Sequence, residues 1–277
     1  MAVVEAESRA STPAAQRRGA AVDIVALRKV YGTGPVPIVA LDDIDLRIAA
    51  GEFVCIVGPS GCGKSTLLRI LAGLDHQTGG SFSVEAAGWA VENAMVFQES
   101  GLFPWMSVEA NVRFGLMTRG VPEFEAADRV ETALKLVGLT KFRRHYPHQL
   151  SGGMRQRSAI ARAFVTDPGM LLMDEPFASL DAQNRVILQA ELVRIWERTG
   201  KTVVYVTHSI EEALLLGDRT VVMTAQPGRI KQIIDVPFPH PRDLITLSAS
   251  AEFGKLKLDI WRVLEDEVQR ARAEMET

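Results

Sequence analysis

The sequence predicts an α/β fold: a parallel sheet core with an antiparallel β subdomain and an inserted α-helical subdomain. Three observations predict it. Short apolar runs at Phe53–Val57, 170 to 173 and 203 to 206 have the length of strands buried on both faces. Helical patterns alternate with these runs, as crossover helices do over a parallel sheet. A wholly helical block, roughly residues 101 to 165, is inserted between the first run and the other two.

Taken in order, residues 1 to 21 carry Glu5, Glu7, Arg9, Arg17 and Arg18 among Ala and Ser. They have no continuous apolar segment like that of a signal peptide, so a flexible tail is expected. Ile24 to Val30, and then Ile44, Leu46 and Ile48, alternate with polar residues, which predicts strands with one wet face in a small antiparallel sheet. Residues 79 to 95, with Phe82, Val84 and Trp89, are read the same way. Helical spacing runs from 108 to 137 and is cut in two by Gly120-Val121-Pro122. A third helix opens near Ser151. A strand at 170 to 173, a helix at 182 to 198, a strand at 203 to 206 and a helix at 210 to 216 follow. Pro237-Phe238-Pro239-His240-Pro241 is expected to be an irregular linker. It leads to an amphipathic helix with Phe253, Leu256, Ile260, Trp261, Val263 and Leu264, a stripe that packs on its own domain or on a partner. The expected division is a tail at 1 to 21, a main domain at 22 to 236, and a linker and helix at 237 to 277.

A chain of 277 residues, 47% hydrophobic and 23% charged, has an ordinary globular composition. No apolar run approaches the roughly 18 residues needed to span a bilayer. The net charge of -3 gives no reason to expect nucleic acid as a partner. Cys55 and Cys62 are read as reduced thiols of a cytosolic protein. Cys62, beside a helix N-terminus, is expected either to be a reactive thiolate that nucleotide protects or to be a small filler.

Residues Gly58, Pro59, Ser60, Gly61, Cys62, Gly63, Lys64, Ser65 and Thr66 stand between a strand and the helical spacing of Leu67, Leu68, Ile70 and Leu71. Glycines let the backbone wrap an anion, so several N–H groups converge on a phosphate. Lys64 adds a point charge at the β- and γ-phosphates, and the Ser65 hydroxyl can ligate magnesium. At 170 to 176, four apolar residues precede Asp174, Glu175 and Pro176, which puts two carboxylates at the end of a buried strand. Asp174 is placed to hold magnesium and Glu175 to polarise a water. Ser151, Gly152 and Gly153 open another helix with a capping hydroxyl and exposed N–H groups, a second anion site that one nucleotide cannot easily share with the first.

The segment Leu150-Ser151-Gly152-Gly153-Met154-Arg155-Gln156-Arg157 resembles the signature segment of ABC-type ATPases. That resemblance covers about residues 22 to 234 and implies a P-loop NTPase (RecA-like) core. It also implies ATP and Mg2+ as ligands and a head-to-tail homodimer in which each ATP lies between one phosphate loop and the other subunit's Ser151. Further residues fall in the family's order. Tyr31 resembles the aromatic that stacks on adenine, although it reads equally as an edge residue. Gln98 resembles the glutamine that touches magnesium and water. Ser179-Leu180-Asp181 resembles the loop that crosses the interface, and His208 the histidine that bonds the γ-phosphate. Met154 departs from the usual glutamine of that family while leaving the serine and glycines intact.

Leu102-Phe103-Pro104-Trp105, the stretch from Val222 to Ile230, and the C-terminal helix resemble the ATP-binding subunits of nitrate, sulfonate and taurine importers. The resemblance implies a peripheral protein on the cytoplasmic face of the cell membrane. It would dock on permease subunits near Phe103 and Trp105, and a separate solute-binding protein would feed the permease. Phe103 and Trp105 read equally as residues packed under the helical block. A soluble ABC ATPase acting on nucleic acid or ribosomes is disfavoured by the single phosphate loop and the lack of a basic block. A kinase or GTPase has no use for the Ser151 helix or His208.

Overall fold

The computed structural model describes residues 19–32, 37–86, 92–178 and 180–275. The expected tail up to residue 18, Trp89 and Ser179 lie outside the described residues. Alternation decides the first strands. Ala21–Tyr31 (β1) buries Val22, Ile24 and Leu27, and Ile38–Ile48 (β2) buries Leu41, Ile44, Leu46 and Ile48. They pair antiparallel with Val22 opposite Ile48. After Phe53–Val57 (β3) and Lys64–Leu71 (α1), Gly79–Glu85 (β4) returns to the other edge of β1, with Phe82 opposite Ile24. The resulting antiparallel sheet has the order β2-β1-β4.

The stretch from 79 to 95 is not a single antiparallel segment. Its last part, Asn93–Val96 (β5), instead forms the edge of the parallel sheet, with Val96 opposite Met173. Alternation ends at Glu85, and Asn93 to Val96 carry no period that distinguishes one sheet from the other. The larger sheet adds Met170–Asp174 (β6), Thr202–Val206 (β7), Arg219–Met223 (β8) and Ile230–Asp235 (β9), in the order β5-β6-β7-β3-β8-β9. All neighbours are parallel except β8 and β9. Every residue of β3, β6 and β7 is buried, because apolar clusters cover both faces of the sheet. β3 lies between β7 and β8, so the loop that leaves it opens at the crevice where an open parallel sheet receives ligands.

The inserted helices are Val108–Thr118 (α2), Glu123–Leu136 (α3) and Gly152–Val165 (α4). Ser107 caps α2 by accepting from the Ala110 amide at 3.2 Å, and Gly120 turns the chain out of it at φ +67°. Val112, Leu116, Val130, Leu134 and Ile160 close the space between these helices. Ala182–Thr199 (α5) and Ile210–Leu216 (α6) are the expected crossovers.

The proline-rich segment forms no helix or strand up to Leu244–Ser248 (α7), after which comes the long helix Ala251–Met275 (α8). Arg242 ties the linker down by donating to the carbonyls of Leu214, Leu215 and Gly217 at 3.2, 3.2 and 2.9 Å. α8 buries Phe253, Ile260 and Leu264 against its own domain, and each fully buried side chain of this kind stabilises the packing by about 1.5–3 kcal/mol. Glu267 fixes its far end, accepting from Lys231 at 2.8 Å and from the Ala225 amide at 2.9 Å. Trp261 departs from the stripe and is 53% exposed.

Candidate active site

The loop after β3 is shaped by Gly63, at φ +97°, where a Cβ would stand 2.6 Å from Leu41 and 2.8 Å from the Ala40 carbonyl. Only glycine fits both the backbone and the space. α1 starts at the next residue, so its free N–H groups face the loop. Lys64 is buried, and its Nζ donates to the carbonyls of Gly58 and Pro59 at 2.9 and 2.8 Å. Ser60 and Gly61 stand at the exposed rim.

The reactive-thiolate expectation for Cys62 is overturned. Its side chain is fully buried against Gly58, and burial pushes the thiol up despite Lys64, whose Nζ lies 3.6 Å from the sulfur. Desolvation outweighs the lysine and the helix terminus, so Cys62 is the small filler.

Ser65 donates to Asp174 Oδ1 at 3.0 Å, joining the loop to the end of β6. Burial raises the Asp174 carboxyl above its usual range, against the Ser65 hydrogen bond. An ionised carboxylate in that place calls for a cation, and a carboxylate with a hydroxyl is the all-oxygen donor set that suits magnesium. The residues therefore fit the metal.

Glu175 follows at φ +46°, a left-handed conformation that costs a non-glycine residue on the order of 1–3 kcal/mol. Its amide donates to the Val206 carbonyl at 3.0 Å, which holds the turn. The turn aims the carboxylate between two elements: Oε2 lies 3.1 Å from His208 Nδ1 and 3.4 Å from Gln98 Nε2. The three side chains named for hydrolysis thus converge on one oxygen, next to Asp174.

Other expected residues lie apart from this cluster. Ser151 caps α4, accepting from the Met154 amide at 3.2 Å, with Gly152 and Gly153 in its first turn. Among the described residues no hydrogen bond joins them to the phosphate loop. Asp181 caps α5, accepting from the Asn184 amide at 3.0 Å, and this bond holds its carboxyl below the usual range. Tyr31 donates to Asp75 at 2.7 Å and has the Lys29 ammonium 4.6 Å from its ring centre, leaving it 37% exposed. The aromatic pair divides. Phe103 packs on Phe114 at 4.7 Å and under the Arg162 guanidinium, whereas Trp105 is 70% exposed.

Two supporting residues were not singled out in the sequence. Glu212 accepts from Thr207, Tyr205 and Gln189 at 2.6, 3.0 and 3.1 Å, which locks the end of β7 from which His208 projects. Its signal was the Ser209-x-x-Glu212 spacing of a helix start. Gln156 of α4, buried, donates to the Phe97 carbonyl at 3.0 Å, so the helix that opens at Ser151 also holds the residue before Gln98. Nothing in the local sequence marks that contact.

The phosphate loop follows β3, Glu175 follows β6 and His208 follows β7, in a sheet that carries an inserted helical block. The ABC transporter family model matches residues 41–178. The taurine import ATP-binding protein TauB of Roseobacter denitrificans is 42% identical over 82% of this chain and 87% of that protein. The nitrate import ATP-binding protein NrtD of Synechocystis is 43% identical over 79% of this chain and 83% of that protein. A solved dimeric ATP-binding cassette in a post-hydrolysis state, bound to ADP and phosphate, is 33% identical with a TM-score of 0.72, covering 79% of this chain and 100% of that one. The chain belongs to the ABC transporter ATP-binding proteins. It is an ATP-hydrolysing subunit of that transporter class.

Proposed function

We propose that this chain powers import of a small anionic or zwitterionic solute, such as taurine, an aliphatic sulfonate or nitrate, through a membrane permease. The names of the two import relatives support the solute class. Among the described residues no helix is long and apolar enough to cross a membrane. In this reading the chain attaches to the cytoplasmic face through permease subunits seated near the exposed Trp105. A solute-binding protein would deliver the cargo.

In this reading two copies hold two ATP molecules head to tail. Gly58 to Thr66 wrap the phosphates, Lys64 leaves the Gly58 and Pro59 carbonyls for the β- and γ-phosphates, and Tyr31 stacks on adenine. The second subunit's Ser151, Gly152 and Gly153 supply the opposite N–H groups, and Asp181 caps the helix that follows the crossing loop. Ser65, Asp174 and Gln98 would hold Mg2+, which when bound neutralises charge developing on the phosphates. Glu175 accepts a proton from the attacking water, His208 orients Glu175 and bonds the γ-phosphate, and Gln98 positions the water. The observation that carries the reading is the convergence of His208 and Gln98 on Glu175 Oε2.

Its test is the mass of Glu175→Gln by light scattering with and without Mg-ATP. The amide keeps the shape but accepts no proton, so hydrolysis should fall by about 100-fold or more and a closed dimer should accumulate. A variant that stays monomeric with Mg-ATP would refute the sandwich.

A further inference from the structure

One face of α8 is buried in its own domain, and an adjoining face lines a cleft. Phe253, Ile260, Leu264 and Glu267 are buried. Lys257, Trp261, Leu264 and Val268, spaced by four, three and four residues, line a cleft of about 510 Å³. The facing wall is Gly58, Pro59 and Ser60 of the phosphate loop together with the segment from His208 to Glu211. Lys257 bridges the mouth to Glu211 at 2.9 Å. Trp261 presents a half-exposed indole to the same cleft that His208 and the buried Ile210 line.

The geometry points to a second copy of this chain as the occupant, with α8 forming an added wall of the closed dimer. This inference rests on the head-to-tail reading above. Three observations favour a second copy over other occupants. The cleft is lined by the phosphate loop and His208, the surface over which the proposed dimer would close. Trp, the side chain most often found as a central anchor of interfaces, is exposed here next to a surface ion pair that can rim it. A two-fold dimer also presents the same face twice, so each α8 contribution counts at both sites. α8 lies outside the residues matched by the family model, and the solved dimer's full length corresponds to only 79% of this chain, so this wall would supplement the shared interface.

The test places Trp261→Glu and Trp261→Ala in the full-length Glu175→Gln protein and follows dimer formation against protein concentration in Mg-ATP. Trp261→Glu should raise the concentration for half-dimerisation by about tenfold or more, and Trp261→Ala by about three- to tenfold. Dimerisation is compared at a temperature where melting without nucleotide shows each variant fully folded, because the half-buried indole also contributes to packing. Independently, hydroxyl-radical oxidation of Trp261 in Glu175→Gln should fall on adding Mg-ATP. Unchanged dimerisation with an indole still open to oxidation would overturn this inference alone and leave the cleft to a small molecule or another protein. A Glu175→Gln protein that never dimerises would overturn the sandwich and this inference with it.

Discussion

Asp75 shows how one carboxylate ties down the end of β1. It accepts from Lys29 at 2.5 Å and from the Tyr31 hydroxyl at 2.7 Å, and these bonds hold its carboxyl down to about 2. A folded-state value below the ordinary 3.8 stabilises the fold wherever the unfolded carboxyl is ionised. The contribution is therefore complete above pH 3.8 and lost as pH falls through about 2. Asp75→Asn should lower the unfolding free energy from urea titration by on the order of 1 kcal/mol at neutral pH, since the site is partly open to solvent. Urea titrations from pH 7 to 2.5 should show that gap steady down to about pH 4 and narrowing below it. A gap of constant size throughout would mean that Asp75 acts by packing and not by charge. The same scale shows where sequence reading fails. The positions of Lys64, Asp174 and Glu175 follow from motif spacing, because phosphate chemistry demands those groups at strand ends. The inertness of Cys62 does not, since burial is a property of Leu41, Met223 and other neighbours distant in the chain.

Elements divide by whether their signal is local. α2, α3 and α4 were legible because Gly120, Pro122 and Ser151 end or begin them with their own chemistry. β5 joins the parallel sheet and not the antiparallel one expected from its sequence, since its partner β6 lies more than seventy residues on. The cleft-lining face of α8 meets the buried one at Leu264, and only the packed structure separates the two. Within the helical block, Phe103 and Trp105 look alike in sequence and their rings lie 5.6 Å apart, but Phe103 is half-buried and Trp105 is exposed. Phe103 is held by Phe114 and by the Arg162 that also donates to the Gly101 carbonyl at 2.9 Å, while Trp105 projects from the same turn into solvent. Trp105→Ala should leave basal ATP hydrolysis within about twofold and cut permease-coupled transport by about tenfold or more, the loss expected of an interface anchor. Reconstituted transport measured beside basal turnover decides it. An equal fall in both would make Trp105 a packing residue.

On the scale of the whole molecule, no hydrogen bond among the described residues joins the phosphate loop to the helix end at Ser151. The phosphate loop opens at the crevice beyond β3, whereas Ser151 begins a helix of the inserted block and spends its hydroxyl on its own cap. In the proposed head-to-tail dimer a single chain would have half a site at each end, and the two-fold pair would make two whole ones. Complementation tests this directly. Lys64→Ala disables the phosphate loop of its own chain, and Ser151→Arg puts a bulky cation where the second chain's phosphates should lie. Each homodimer then has two broken sites and should be inactive. In an equal mixture about half the dimers are mixed, and each mixed dimer has one site with both defects and one with neither, so the mixture should recover about a quarter of wild-type ATP hydrolysis if the sites act independently. If one chain completed its own site, mixing would yield only the mean of the two inactive proteins. Recovery that rises with total protein concentration would also tie the activity to dimer formation, because a composite site exists only while two chains are together.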